Sequence, residues 1–387
     1  MDKGHFKSNL TGRLVFEQKG LYFHFEPKAL PFKYKPDLKM NNLLMETALK
    51  LGELNGITKR FSRKEINLLK MPFILKEATF SSRIEGTRST LTDVYKGKKE
   101  KEKDLMKRLD NEEINNYYKA LNLGLSLLRN QDLNEGIIKE IHKVLLKGVR
   151  GKEKSPGEYK KIQNAIGMSN DTLETAKFVP ASPETTPYLM KNLIDFFNNN
   201  KTYNPLFKIG IIHYQFEAIH PFRDGNGRLG RLLIILLLCK EKIIDEPFLY
   251  ISEYFNRYRD KYLELLYKVS VEGTIEEWLR FFLEALRVQS EKSLNLTIKL
   301  LDYKSKLHEK IKVKYRSTNI YNVIDLLFEN PFITIGDIQK KLKISFTAAS
   351  KIIRKLIDED ILIEFKTNKK NKLFLAKEII DILEKGV

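Results

Sequence analysis

The stretch His220-Pro-Phe-Arg-Asp-Gly-Asn-Gly-Arg-Leu-Gly-Arg231 gathers more chemistry than any other part of this 387-residue chain. His220 is the group there whose unperturbed pKa suits a general base near neutral pH. Gly225 and Gly227 around Asn226 let the backbone bend with its N–H groups converging on one concavity, a nest for an anion. A strongly apolar helix begins at once, with Leu229, Gly230 and Leu232 in its first turns. The nest therefore coincides with orphan amides and the positive end of a helix dipole, which favour phosphate. Arg228 and Arg231 share a face of the first turn and can reach one polyphosphate. Two cations at a helix N-terminus are locally unfavourable, which argues for a resident anion. Asp224, just ahead of the nest, is a hard oxygen ligand suited to Mg²⁺ carried on the phosphates. A capped helix after a buried histidine is the plain alternative; it leaves the convergence of these side chains without a reason.

Other segments say less alone. Ser81-Ser-Arg-Ile-Glu-Gly86 reads as a helix end with glycine at C′. Thr175-Ala-Lys-Phe-Val-Pro180 reads as a surface hairpin, and Tyr250 to Leu263 as an aromatic-rich helix, mostly packing. No His-Glu-x-x-His, Cys-x-x-Cys or P-loop pattern is present, so neither a zinc site nor a Walker-type enzyme is expected. The single cysteine, Cys239, lies in an apolar run and excludes an internal disulfide. That run, Leu232 to Cys239, is far short of the roughly 20 residues a membrane span needs. The N-terminus lacks an apolar h-region, so a cytoplasmic protein with no membrane contact is expected. Lys and Arg number 69 against 50 Asp and Glu, a net charge of +19 that attracts polyanions or simply keeps the protein soluble.

Helical periodicity is expected to position these groups, giving a mainly α fold. Residues 1 to about 35 read as an arm of short strands on a helical body. Helices are expected from Leu38, over 63–80, and over 111–128, 134–147, 187–199, 205–218, 227–240, 255–271 and 275–300. Lys96 to Lys103 reads as a solvated loop, and Ser155 to Pro187, punctuated by prolines, as loops with one extended piece at Ala176–Val179. From about 317 three helices (Ile320–Phe328, Ile335–Leu342, Thr347–Asp358) precede two β-like runs, Ile361–Phe365 and Lys372–Ala376. The basic turn Thr367-Asn-Lys-Lys-Asn joins those runs. This order resembles a winged helix, which reads DNA through its third helix or serves dimerisation or protein docking; both readings stay open, and DNA contact would run through 347–372.

The His220–Arg231 stretch matches the Fic family signature, His-x-Phe-x-(Asp/Glu)-Gly-Asn-Gly-Arg-x-x-Arg, at every specified position. Similarity extends to Pro156-Gly-Glu-Tyr-Lys-Lys-Ile-Gln-Asn-Ala-Ile-Gly167 and Tyr214-Gln-Phe-Glu-Ala-Ile, and covers about 40–300. The chain thus resembles a Fic-type helical bundle with a short β-hairpin flap and a C-terminal winged-helix (α+β) domain. This implies an N-terminal region (1–110) with an inhibitory helix, a catalytic domain (111–300) and the winged helix (317–387). The resemblance implies a protein adenylyltransferase that moves AMP from Mg-ATP onto Ser, Thr or Tyr hydroxyls of proteins, itself included. His220 would take the hydroxyl proton and Asp224 would hold Mg²⁺. Gly225 to Gly227 and Arg228 to Arg231, with Leu229 and Gly230 between, would hold the phosphates. Tyr262 and Leu263 match positions flanking the adenine, although many relatives have a second tyrosine at the latter. Ser81 to Gly86 resembles the inhibitory motif (Ser/Thr)-x-x-x-Glu-(Gly/Asn), in which Glu85 would pair with Arg231 and occupy the γ-phosphate position. The flap at 175–180 would pair a target segment as an added strand. In one respect the chain departs from its relatives: Lys160 stands where Arg is usual. Rival readings are AMP removal, with Glu85 orienting water, and a DNA-binding regulator whose Fic core only senses nucleotide. The resemblance also leaves a homodimer open.

Overall fold

The computed structural model describes the chain apart from residues 2, 18–20, 100–103, 168–170, 366–371 and 386–387, with only the main chain at 385. The expected arm is an antiparallel hairpin, β1 (Gly12–Glu17) and β2 (Tyr22–Pro27), in which Gly12 faces Pro27 and Glu17 faces Tyr22. Phe25 anchors it: the ring is fully buried, and its N–H donates to the Val179 carbonyl at 2.8 Å.

Helices begin where a side chain can satisfy their first free amides. Asp37 caps α1 (Leu38–Thr58), Ser62 and Glu65 form a capping box on α2 (Arg63–Ile84), and Thr90 and Asp93 form another on α3 (Leu91–Gly97). Asp104 caps α4 (Leu105–Leu128) and Asn134 caps α5 (Glu135–Leu145). The bundle continues with α6 (Thr186–Asn199), α7 (Pro205–Ile219), α8 (Asn226–Lys240), α9 (Ser252–Arg257), α10 (Arg259–Glu272) and α11 (Ile275–Lys314). The α7–α8 hairpin is its centre, buried continuously from Leu206 to Phe216 and from Arg228 to Leu238. A helix enclosed on every side must be apolar all round, as these two nearly are. Around them α4 packs on α5 and α8, α6 and α11 on α7, and α2 on α4, α8 and α9. Trp278 of α11 is fully buried and donates through Nε1 to the Gly210 carbonyl of α7 at 2.8 Å.

Several boundaries differ from expectation. The helix expected over 63–80 runs on to Ile84, which sets Glu85 at its C-cap and Gly86, with φ +98°, just beyond. Lys96 and Gly97 are helical, so the expected loop begins later than its charge run suggests. The helix expected over 255–271 is two, broken at Tyr258. The one expected to end at 300 continues to Lys314, so the bundle and the tail share a helix.

The tail is a winged helix with α12 (Thr318–Glu329), β3 (Phe332–Thr334), α13 (Ile335–Leu342), α14 (Phe346–Asp358), β4 (Ile363–Phe365), β5 (Leu373–Leu375) and α15 (Lys377–Lys385). Its sheet has three strands in the order β3-β5-β4, not two, and α15 was not foreseen. Strands of three residues lie below the length at which alternation is readable. The basic turn from Thr367 lies outside the described residues. This unit packs directly on the helices that bracket Glu85. Lys64 of α2 pairs with Asp325 at 2.6 Å, and buried Lys76 donates to the Leu383 carbonyl at 3.1 Å. On the far side of Glu85, Thr92 donates to Glu384 at 2.6 Å and Lys99 pairs with Asp337 at 2.8 Å. Among the described residues no helix is long and apolar enough to cross a membrane.

Candidate active site

The turn between α7 and α8 is held by side chains from outside it. His220 ends α7 in the left-handed region (φ 50°, ψ 61°), its N–H donating to the Phe216 carbonyl at 2.9 Å. That conformation costs a non-glycine residue about 1–3 kcal/mol, so it needs support. Asn164 gives it, its amide donating to the carbonyls of His220 at 3.1 Å and Phe222 at 2.8 Å. Lys160 holds the preceding residue, donating from Nζ to the Ile219 carbonyl at 3.0 Å and to Asn164 at 2.9 Å. Asn226, almost fully buried, grips the Phe222 main chain both ways at 2.9 and 2.7 Å. Gly225 takes the left-handed step (φ 77°) that opens α8. His142 of α5 braces it from below. Its Nδ1 accepts the Gly157 N–H at 2.8 Å, so Nε2 carries the proton and donates to the Asp224 carbonyl at 2.9 Å. The ring also stacks on Phe222 at 3.8 Å. Burial holds His142 down at about 4, so it stays neutral.

A cavity of about 590 Å³ opens over this turn, bordered by His220, Asp224, Gly225, Gly227, Arg228 and Arg231 on one wall. Arg231 is 1% exposed, with two of its guanidinium nitrogens engaged by Ser81 and Glu85. It donates from Nε to Ser81 Oγ at 3.0 Å, and from Nη2 to the Ser81 carbonyl at 2.9 Å and to Glu85 Oε1 at 2.6 Å. The same Glu85 oxygen lies over Gly227, where an added Cβ would come within 2.4 Å of it. The Glu85 carboxylate therefore sits on the nest itself, where an incoming anion would lie. Burial alone would raise its pKa, but the Arg231 guanidinium, aided by Arg228, holds it below the usual carboxylate range. Arg228 Nη1 lies 3.4 Å from Glu113 and Nη2 3.4 Å from Asp224, and its buried Nε and Nη1 make no hydrogen bond. A buried guanidinium with idle donors is poised for further acceptors.

Burial favours the neutral form of His220. Together with nearby Lys160 it holds the imidazole down at about 3, which leaves the ring unprotonated and free to accept a proton at neutral pH. Burial likewise pushes Lys160 down to about 7. Tyr262 is buried and its hydroxyl meets His213 Nε2 at 2.8 Å, behind the cavity wall. Burial lowers His213 to about 3, so it too is a neutral structural group.

The residues expected at the site are mostly brought together. Glu85, Asp224, Gly225, Asn226, Gly227, Arg228, Arg231, Tyr262 and Leu263 all border the cavity with His220. Asn226 borders the cavity with its side chain held on the Phe222 main chain. Two expectations need correction: Leu229 is fully buried in the core and Gly230 packs against Phe216 and Glu217, and neither borders the cavity. The helical period explains this, since of Arg228 to Arg231 only the first and last share a face. The flap is a single antiparallel bridge between Ile166 and Phe178, and Lys177 and Phe178 border the cavity. The sequence reading missed His142, Glu113 and Arg150. Arg150 pairs with Glu113 and Asp110 at 2.7 Å each, and Glu113 accepts from Thr87, the residue after Gly86, at 3.1 Å. Only the Pro156-Gly-Glu turn hinted at His142, whose Nδ1 needs that glycine's N–H.

Comparison with known proteins converges on this region. The Fic/DOC family model matches residues 132–238, the Fic/DOC N-terminal model 41–126, and a winged helix-turn-helix DNA-binding model 316–363. A probable protein adenylyltransferase of Aquifex aeolicus is 37% identical over 100 residues, 26% of this chain and 28% of that one. Protein adenylyltransferase fic-1 of Caenorhabditis elegans is 28% identical over 157 residues, 37% of this chain and 30% of that one. Protein adenylyltransferase Fic of Drosophila melanogaster is 30% identical over 176 residues, 45% and 31% of the two chains. The chain thus spans less than a third of the length of these relatives. A crystal structure of a Fic family protein from Desulfovibrio desulfuricans superposes with a TM-score of 0.57 at 19% identity, over 88% of this chain and 97% of that one. A Fic-domain-containing signalling protein from Bacteroides thetaiotaomicron gives 0.51 at 23%, over 67% and 95%. At such identities the likeness concerns the fold.

Proposed function

From the premise that this chain belongs to the Fic/DOC family, we propose that it is a protein adenylyltransferase, moving AMP from Mg-ATP to Ser, Thr or Tyr hydroxyls, including its own, and restrained by Glu85. The observation that carries the reading is a neutral imidazole facing a cavity whose wall is an anion nest with Arg228 and Arg231. His220 takes the proton of the target hydroxyl. The freed oxygen forms a bond to the α-phosphorus, the bond from that phosphorus to the bridging oxygen breaks, and pyrophosphate leaves. The nest amides of Gly225 to Gly227 and the two arginines hold the triphosphate in line for that attack. Asp224 suits Mg²⁺, because its carboxylate is 38% exposed beside the cavity. Among the described residues no group of three or more His, Cys, Asp or Glu could cage a metal. Such a sparse donor set fits a cation that takes one or two carboxylates and fills its shell with phosphates and water. Bound there, Mg²⁺ would neutralise phosphate charge. Tyr262 and Leu263 also border the cavity and suit the adenine, and the flap around Lys177 and Phe178 suits an extended target segment. Relatives named protein adenylyltransferases support the same class. Incubation with ATP labelled at the α-phosphate tests it: label becomes covalent on protein with the native chain and not with His220→Ala, and label retained by that variant refutes the base.

The tail supports a second, separable contact. Thr347, Lys351 and Arg354 share the exposed face of α14, the helix that would enter a major groove. A mobility shift of duplex DNA, weakening steeply with salt, is expected; no shift at low salt refutes it.

A further inference from the structure

General-base chemistry on an imidazole needs both ring nitrogens managed: one must be bare toward the substrate, and the other must keep its proton on an acceptor. The His220 Nδ1 is buried and no well-aligned hydrogen bond reaches it, the Glu217 main-chain carbonyl making only a weak contact with the ring. One turn back on α7, the Glu217 carboxyl lies 3.8 Å from that nitrogen, with its side chain 13% exposed. The Glu217 main-chain carbonyl addresses the same ring, so this residue approaches His220 twice. The other Glu217 oxygen, Oε1, is also buried without a partner. It lies over Gly230, where an added Cβ would come within 2.3 Å of it, so α8 leaves that space to the carboxyl. Arg231 and Glu85 both act on Glu217 through space, but the hydrogen bonds of Arg231 go to Ser81 and Glu85, and those of Lys160 to Asn164 and the Ile219 carbonyl.

We infer that Glu217 is a positioning residue for His220, accepting the Nδ1–H so that Nε2 stays bare toward the substrate hydroxyl. A small rotation about the Glu217 side chain closes 3.8 Å to hydrogen-bond distance, consistent with catalytic contacts that tighten only once substrate is present. As Nε2 takes the hydroxyl proton, the carboxyl steadies the imidazolium through the bond it already holds, and no proton need pass to it. Burial pushes Glu217 up to about 8, so it is a neutral acid at pH 7. A neutral acid accepts the N–H through its carbonyl oxygen and raises the basicity of the ring less than a carboxylate would. That matches the depressed imidazole, whose other facing charges are Lys160 and Glu85.

This inference rests on the adenylyl-transfer reading, and its test separates the two. Transfer is measured in the full chain with Glu85→Gly as the parent, at varied ATP concentration. Adding Glu217→Met, close in volume and without an acceptor, is expected to lower kcat by about 10²-fold with KM for ATP unchanged. Adding Glu217→Gln instead, which keeps an acceptor oxygen, is expected to restore most of that loss. An unchanged KM shows that the variants fold and hold nucleotide. If the Met variant keeps the parent's kcat, raises KM alone, or is matched in its loss by Gln, the positioning role is overturned. If the parent itself transfers nothing, the adenylyl-transfer reading falls and this role with it.

Discussion

Arg231 is the residue on which occupation of the cavity turns. Its guanidinium donates to Ser81 and Glu85, and the Glu85 oxygen covers the nest at Gly227. A triphosphate must displace that carboxylate or bind around it, and a misplacement of about 1 Å costs on the order of 10²-fold in rate. Glu85→Gly is therefore expected to raise self-labelling from α-labelled ATP by about 10²-fold, and Glu85→Gln, which keeps volume and loses charge, in the same direction. Rates equal to the native chain in both would end the autoinhibition reading. His220 supplies the pH prediction. An ordinary histidine is half protonated near 6.5 and loses base strength below it. Held down at about 3, His220 stays neutral well into acid. Label incorporation at saturating ATP should thus show no loss assignable to this histidine between pH 7 and 5. A fall centred near 6.5 that Glu217→Gln leaves in place would contradict the depressed imidazole.

Elements position what residues perform. The α7–α8 turn carries the nest, yet α5 and the 156–164 loop hold it through His142, Asn164 and Lys160. His142→Phe keeps the stack on Phe222 and removes both hydrogen bonds, leaving the Gly157 N–H and the Asp224 carbonyl unpaired. Each unpaired buried group costs about 1–3 kcal/mol. The expected result is a thermal midpoint lower by several degrees and KM for ATP raised about tenfold, with transfer retained at high ATP. Calorimetry and ATP titration check both halves, and a variant identical to the native chain would show that the turn supports itself.

At the scale of the whole molecule, the winged helix is fastened to the helices on both sides of Glu85. Lys64 and Lys76 of α2 precede Glu85, and Thr92 and Lys99 follow it, each bonded to the tail. Movement of the tail is therefore expected to reach the segment that carries Glu85. Combining Thr92→Ala with Lys99→Ala removes two largely surface contacts, together worth about 1–2 kcal/mol. The protein should stay folded and self-label severalfold faster. A rate unchanged from the native chain, with the fold intact by circular dichroism, would show that the tail and Glu85 are independent.

What the sequence determined by itself is local. The nest and the shared face of Arg228 and Arg231 follow from residues within a few positions of one another, because one helical turn or one tight turn sets their geometry. The winged-helix order was legible for the same reason, except where strands of three residues fell below any readable period. The Glu85–Arg231 pair, 146 residues apart, was implied by likeness to a family rather than by spacing. Only the tertiary structure decided the rest. His142 and Glu113 carry no signature in sequence, and Asn164 and Glu217 lie in stretches whose likeness to the family assigned them no role, since each acts by meeting a main-chain group or side chain that only the fold brings near. The packing that brings them there also removes the water that would hold their pKa values near normal. That is why a buried histidine at about 3 and a glutamic acid at about 8 appear only once the helices have closed over them.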